Sequence, residues 1–196
     1  MVTNIFTPYS PISSYDQAEL HKQFSRLALV TGGKLNTLGL QPNQPAQILI
    51  SDLQWKSYSG DIQLLRTWAV QTIIRLHIRS STTGQLLWGN VYGSASGVPL
   101  IGGTRLLSNW PVALLTKLLP TTAYWQLAHT QEPFTLRICG SHVSLSVYRF
   151  YESNFYLAAL DYLADLARRC QDVLDDERPT VCTRLVDLPY NQDKQT

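Results

Sequence analysis

The chain has 196 residues with a net charge of +2, 44% hydrophobic and only 15% charged residues. That charged share is well under the usual quarter of a soluble protein, and Gln, Ser, Thr and Asn fill the polar balance. The length suits one domain. So small a net charge gives no electrostatic case for a polyanion partner, and no apolar run reaches the eighteen or so residues that span a bilayer.

The first residues, Met1 to Ser13, hold two prolines and no period, and read as an arm. Ser14 with Gln17 makes a capping-box pattern, and Leu20, Phe24, Leu27 and Ala28 recur on one face of a helix that Gly32-Gly33 ends. Leu35 to Pro45 reads as loop. Ala46 to Tyr58 reads as a strand whose inward parity switches between Ile48/Ile50 and Leu53/Trp55, which requires a bulge or burial on both sides. Ser59-Gly60-Asp61 reads as the turn after it.

In the next strand Val70, Thr72, Ile74, Leu76 and Ile78 share one face, while Gln71, Arg75, His77 and Arg79 share the other. Ser80 to Gly84 connects it to a returning strand, Gln85 to Ala95, so a hairpin is expected. Gly97 to Thr104 reads as loop, and Ser108 or Asn109 caps a short helix running through Leu119, with Pro111 in its first turn. Thr121 to His129 reads as a further helical turn.

A second hairpin follows. With Gly140-Ser141 as its turn, Phe134 faces Val147, Leu136 faces Leu145 and Ile138 faces Val143, all on one side. Arg137 lies on the other side. The last helix begins near Ser153 and carries the stripe Tyr156, Leu160, Leu163, Ala167, Cys170 and Leu174. It ends in the Asp175 to Pro179 run. The expectation is an α+β fold: an antiparallel sheet of two hairpins plus one strand, with helices on one face. The domain spans 14–188, between an arm at 1–13 and a flexible tail at 189–196.

Chemical motifs stop short. Gly97 to Thr104 has phosphate-loop spacing, but Gly103 stands where the lysine belongs. Cys139 and His142 flank the proposed turn, and such a pair can make a thiolate, yet no third group orients it. With Cys170 and Cys182 they would compose a Cys3His zinc set, but Cys170 belongs to the apolar stripe and the other two to the polar face. No catalytic, cofactor or metal residue is therefore assigned, and no small-molecule substrate is implied.

Eleven Arg against five Lys favour interfaces, since a guanidinium pairs bidentately and stacks. The expected function is a non-enzymatic structural or assembly subunit of a larger protein complex. The alternative is a nucleic-acid-binding module using Arg75, His77 and Arg79, joined by Arg137 with His142 on the polar face of the other hairpin, with Trp88 or Tyr92 stacking on bases. Three cysteines and no signal peptide favour the cytoplasm; a removed leader would allow the cell envelope. The stretch Ile74 to Trp88, with Thr83-Gly84-Gln85-Leu86-Leu87-Trp88 at its end, resembles a recurring hairpin in bacterial envelope lipoproteins of the curli-secretion and penicillin-binding-protein-activator type. The resemblance implies an assembly or accessory role in an envelope complex, without enzymatic activity.

Overall fold

The computed structural model describes residues 17–38, 46–66, 70–89, 98–99, 105–119 and 133–176. The expected arm and tail, the capping Ser14, the 121–129 turn, Tyr92 and Cys182 lie outside them. In chain order the elements are α1 (Gln17–Thr31), β1 (Lys34–Leu38), β2 (Ala46–Trp55), β3 (Tyr58–Arg66), β4 (Val70–Gly89), β5 (Val98–Pro99), β6 (Arg105–Ser108), α2 (Val112–Leu118), β7 (Phe134–Val147) and α3 (Ser153–Asp176). All strand pairs are antiparallel and belong to one sheet. The α+β class is the one expected.

α1 carries Leu20, Phe24, Leu27 and Ala28 inward and stops where Gly33 N–H bonds back to Ala28 O at 2.9 Å, as its Gly-Gly pair predicts. The segment after it is not all loop. Lys34–Leu38 adds an edge strand that pairs Leu35 with Ile50 and Thr37 with Ile48. The parity switch in β2 is a bulge between Ile50 and Leu53, where Asp52 takes a φ of 56°. The extra residue turns Leu53 inward beside Ile48 and Ile50, and all three are buried. The chain reverses at Lys56 and Ser57, with Lys56 at φ 55°, three residues earlier than expected. Ser59, Gly60 and Asp61 are therefore interior residues of β3, with Gly60 opposite Leu76 and Asp61 opposite Arg75.

The larger correction concerns the first expected hairpin. Residues 70–76 pair with β3 on one side, 72–77 pair with β7 on the other, and 86–89 lie between β6 and β7. Both edges of each arm of β4 are occupied, so the arms cannot pair with each other. They flank β7 instead. β7 is itself folded back: the hydroxyls of Thr135 and Tyr148 stand 3.3 Å apart, whereas thirteen residues of straight strand would span roughly 43 Å. The reversal falls at Gly140, whose φ of +60° suits glycine. Residues 78–84 of β4 thus travel the outer arc around the tip of β7. That is why the register jumps between His77 and Gln85 on β4 while β7 advances only from His142 to Cys139.

Every inward residue of this double layer is buried: Ile74, Leu76, Ile78, Leu86 and Trp88 from β4, with Phe134, Leu136, Ile138, Val143, Leu145 and Val147 from β7. α3 lies across them. Its Tyr156, Leu160, Leu163, Ala167 and Cys170 are fully buried, as the stripe predicts. Phe24, Phe150, Tyr151, Phe155 and Tyr156 form an aromatic cluster where α1 meets α3, with Phe24 5.6 Å from Tyr156 and Tyr151 stacked on Phe155 at 4.1 Å. Tyr156 settles its buried hydroxyl by accepting the Tyr151 N–H at 3.2 Å.

Arg105–Ser108, read as loop and cap, is a strand that closes on 86–89, and Val98–Pro99 pairs with it. Ser108 Oγ donates to Gln85 O at 3.1 Å and accepts Trp110 N–H at 3.0 Å. Asn109 Oδ1 accepts Gln85 N–H. These bonds clamp the start of α2 to β4 and lay the Trp110 indole directly on Gly84.

Candidate site on the open face of the sheet

The helices cover one face of the sheet, and the other is the face on which the sequence places its cations. Arg75 stands opposite Ser144, and His77 stands directly opposite His142. Folding β7 back on itself brings Arg137, on the first arm, to the His142 side. The consequence is electrostatic. Burial pushes the His142 imidazole below its ordinary value, and the charges of Arg75, Arg137 and His77 push it the same way, while Asp61 alone opposes them. Four cationic or protonatable groups thus share one small area with one nearby carboxylate. Arg75 reaches Asp61 through Nη1 at only 3.5 Å, and its buried Nε–H has no acceptor among the described residues.

Arg79 is exposed. Its charge acts on Tyr58, whose hydroxyl is raised mainly by burial and drawn back down by Arg79 and Arg168. Trp88, expected as a stacking platform, is fully buried against Phe134 in an edge-to-face contact at 5.5 Å. Its parity with Ile74 and Leu76 held that information. His142, expected beside Arg137 on the polar face of the second hairpin, feels the charges of Arg75, Arg137 and His77 together.

Cys139 is half-buried on the same side, where Sγ lies 3.7 Å from Arg137 Nη2. No hydrogen bond links it to His142 among the described residues. Cys170 sits in the core beneath α3, its thiol pushed up to about 12 by burial. The two sulfurs thus lie on opposite faces of the sheet, the separation that the stripe implies. The phosphate-loop-like segment falls outside the described residues except for Val98–Pro99.

Beside the cations the open face is aliphatic. Leu38 is opposite Gln47, Leu49 opposite Gln63, Leu65 opposite Gln71, and Gln63 opposite Ile73. Leu38, Leu49, Leu65 and Ile73 are therefore successive diagonal neighbours, within reach of one another across four strands. Leu38 is 67% exposed and the other three are half-exposed.

A second concavity of about 400 Å³ lies between α1 and the start of α3, lined by Glu19, Gln23, Arg26, Leu27 and Leu157 among others. Gln23 is buried there, with Nε2 3.4 Å from Glu19 Oε1 and Oε1 unpartnered among the described residues. Charges of both signs line this groove, and they converge on no common point.

No helix of the described residues is long and apolar enough to cross a membrane. No protein-family model matches the chain, and no curated protein matches it. Among solved structures, the mycobacterial trehalose monomycolate transport factor A, TtfA, aligns over 82% of this chain and 97% of its own, at 13% identity and a TM-score of 0.48. A likeness of that grade does not bear on activity or partners.

Proposed function

We propose that the chain is a non-enzymatic subunit that binds another protein through the open face of its sheet. The observation that carries this reading is the aliphatic diagonal Leu38, Leu49, Leu65 and Ile73, lying on the face away from the helices. An aliphatic diagonal interleaved with Gln47, Gln63 and Gln71 is a mixed apolar and neutral face of the kind through which proteins associate, and the low charge of the chain reduces the desolvation that docking costs. An assembly role in an envelope complex, implied by the Ile74 to Trp88 resemblance, is compatible with this surface.

The test is affinity capture of the tagged chain from its host, with partners identified by mass spectrometry. The paired substitution Leu49→Glu with Ile73→Glu should release the partner while leaving the melting temperature within a few degrees. Retention of the same partner by that variant would refute the proposal.

A further inference from the structure

The group around His142 brings together more positive charge than the fold needs. Arg75, His77 and Arg137 each act unfavourably on a protonated His142, and Asp61 is the one counter-charge facing it. Each of the four stands next in the chain to a core residue, Ile74 and Leu76 on β4 and Leu136, Ile138 and Val143 on β7, so strand alternation puts them on the face away from the core. The donors are also unspent. Among the described residues Arg75 makes a long polar contact to Asp61 and its Nε–H lacks an acceptor, and Ser144 stands opposite it in the register. Clustered cations with unsatisfied donors cost energy until an anion arrives, which is how oxyanion sites are built.

We infer that Arg75, His77, Arg137 and His142 form a binding site for a tetrahedral oxyanion of the phosphate class. The guanidinium groups come from two different strands, Arg75 on β4 and Arg137 on β7, and His77 and His142, directly opposite each other, supply further N–H donors. The site borders the aliphatic diagonal, Ile73 being two residues from Arg75 on the same face of β4, but it uses none of the diagonal's residues. The imidazole makes the site responsive to pH. His142 is below its ordinary value in the free protein, and a bound dianion reverses the unfavourable field and raises it. Binding therefore takes up a proton, so affinity grows as pH falls from the bound value to the free one. The gain is about tenfold for each unit by which the anion lifts the imidazole.

Sulfate is the first probe, because it stays dianionic across this range and leaves the protein alone to titrate. Imidazole resonances of the full chain would be followed by NMR against pH, with sodium chloride at equal ionic strength as control. Sulfate should raise the His142 midpoint specifically and bind more tightly at pH 6 than at pH 7.5. Arg137→Gln, a change at an exposed position, should weaken binding at least several-fold, and Arg75→Gln with Arg137→Gln should abolish it. A midpoint that sulfate leaves in place, or a sulfate response that survives in both variants, would overturn the assignment. Inorganic phosphate, a phosphorylated peptide and a single-stranded oligonucleotide separate the sources. Tighter binding of phosphate or the phosphopeptide than of the oligonucleotide is expected. Binding of the oligonucleotide alone would replace the phosphate site with a nucleic-acid interface.

Discussion

Replacing Gly84 by alanine tests whether the outer arc of β4 is held by packing or by turn chemistry. Gly84 has no positive φ, so the backbone tolerates a side chain. The obstacle is Trp110: a Cβ at position 84 would coincide with its indole, meeting Nε1, Cε2 and Cδ1 together. A rigid ring that is 4% exposed and anchored through Ser108 and Asn109 cannot rotate aside without loosening α2 from β4. Overpacking a core costs about 1–3 kcal/mol, and losing a buried tryptophan altogether costs about 3–5. The expected loss is therefore about 2–3 kcal/mol, or roughly 4–12 °C in melting temperature for a chain of this size. Urea unfolding followed by circular dichroism would measure it. The double variant Gly84→Ala with Trp110→Leu should recover part of the loss, giving a coupling energy of roughly 1 kcal/mol or more. Purely additive effects, or a Gly84→Ala change below about 0.5 kcal/mol, would refute the contact.

Three further outcomes follow from the same geometry. Asp165 accepts Arg168 and Arg169 at 2.9 and 2.8 Å. Burial alone would raise its carboxyl, but those bonds outweigh it and hold the group below the usual carboxylate value. The stabilisation is thus present above the unfolded pKa and lost as pH falls through the folded one. Asp165→Asn should cost less than about 1 kcal/mol at pH 7, because the pairs are partly solvated, and the gap to wild type should close below about pH 4; a gap that widens in acid would contradict this. In variants retaining one cysteine, a thiol reagent should modify Cys139 in the native protein and leave Cys170 untouched until denaturant is added, because burial keeps its thiol protonated and out of reach. Native labelling of Cys170 would show that α3 is not seated as described. Phe24→Ala, which empties the centre of the aromatic cluster, should lower stability by about 3–5 kcal/mol in the same urea assay.

How much of this was legible in the residues depends on the range of the signal. α1 and α3 follow from periodicity and from the Gly32-Gly33 stop, and the β2 bulge follows from a parity conflict among Ile48, Ile50 and Leu53. The turn at Gly140 follows from the opposed apolar sets of 134–138 and 143–147. These are local patterns. The fate of Ile74 to Trp88 is not local. Two alternating runs joined by Ser-Ser-Thr-Thr-Gly look like a hairpin, and only the insertion of β7, far along the chain, shows that the arms stand apart. The same insertion explains why the cluster was half legible. Arg75, His77, Arg137 and His142 could be placed on polar faces by alternation, whereas the meeting of the two strands that carry them depends on the arc. β1 and β6 were missed because short strands with a polar share, such as Lys34–Leu38, carry too little pattern to outweigh nearby glycine and proline.

The nesting of β7 inside the arc of β4 also sets an order of events during synthesis. Both arms of β4 leave the ribosome well before Phe134 exists, with their inner edges unpaired and their apolar residues in matching alternation. Until Phe134 to Val147 has been made, those inner edges have no native partner, whatever the outer edges find in β3 and β6. Closing the sheet therefore waits on a segment far along the chain, the kind of long-range pairing that forms slowly and leaves strand edges open to neighbouring chains in the meantime.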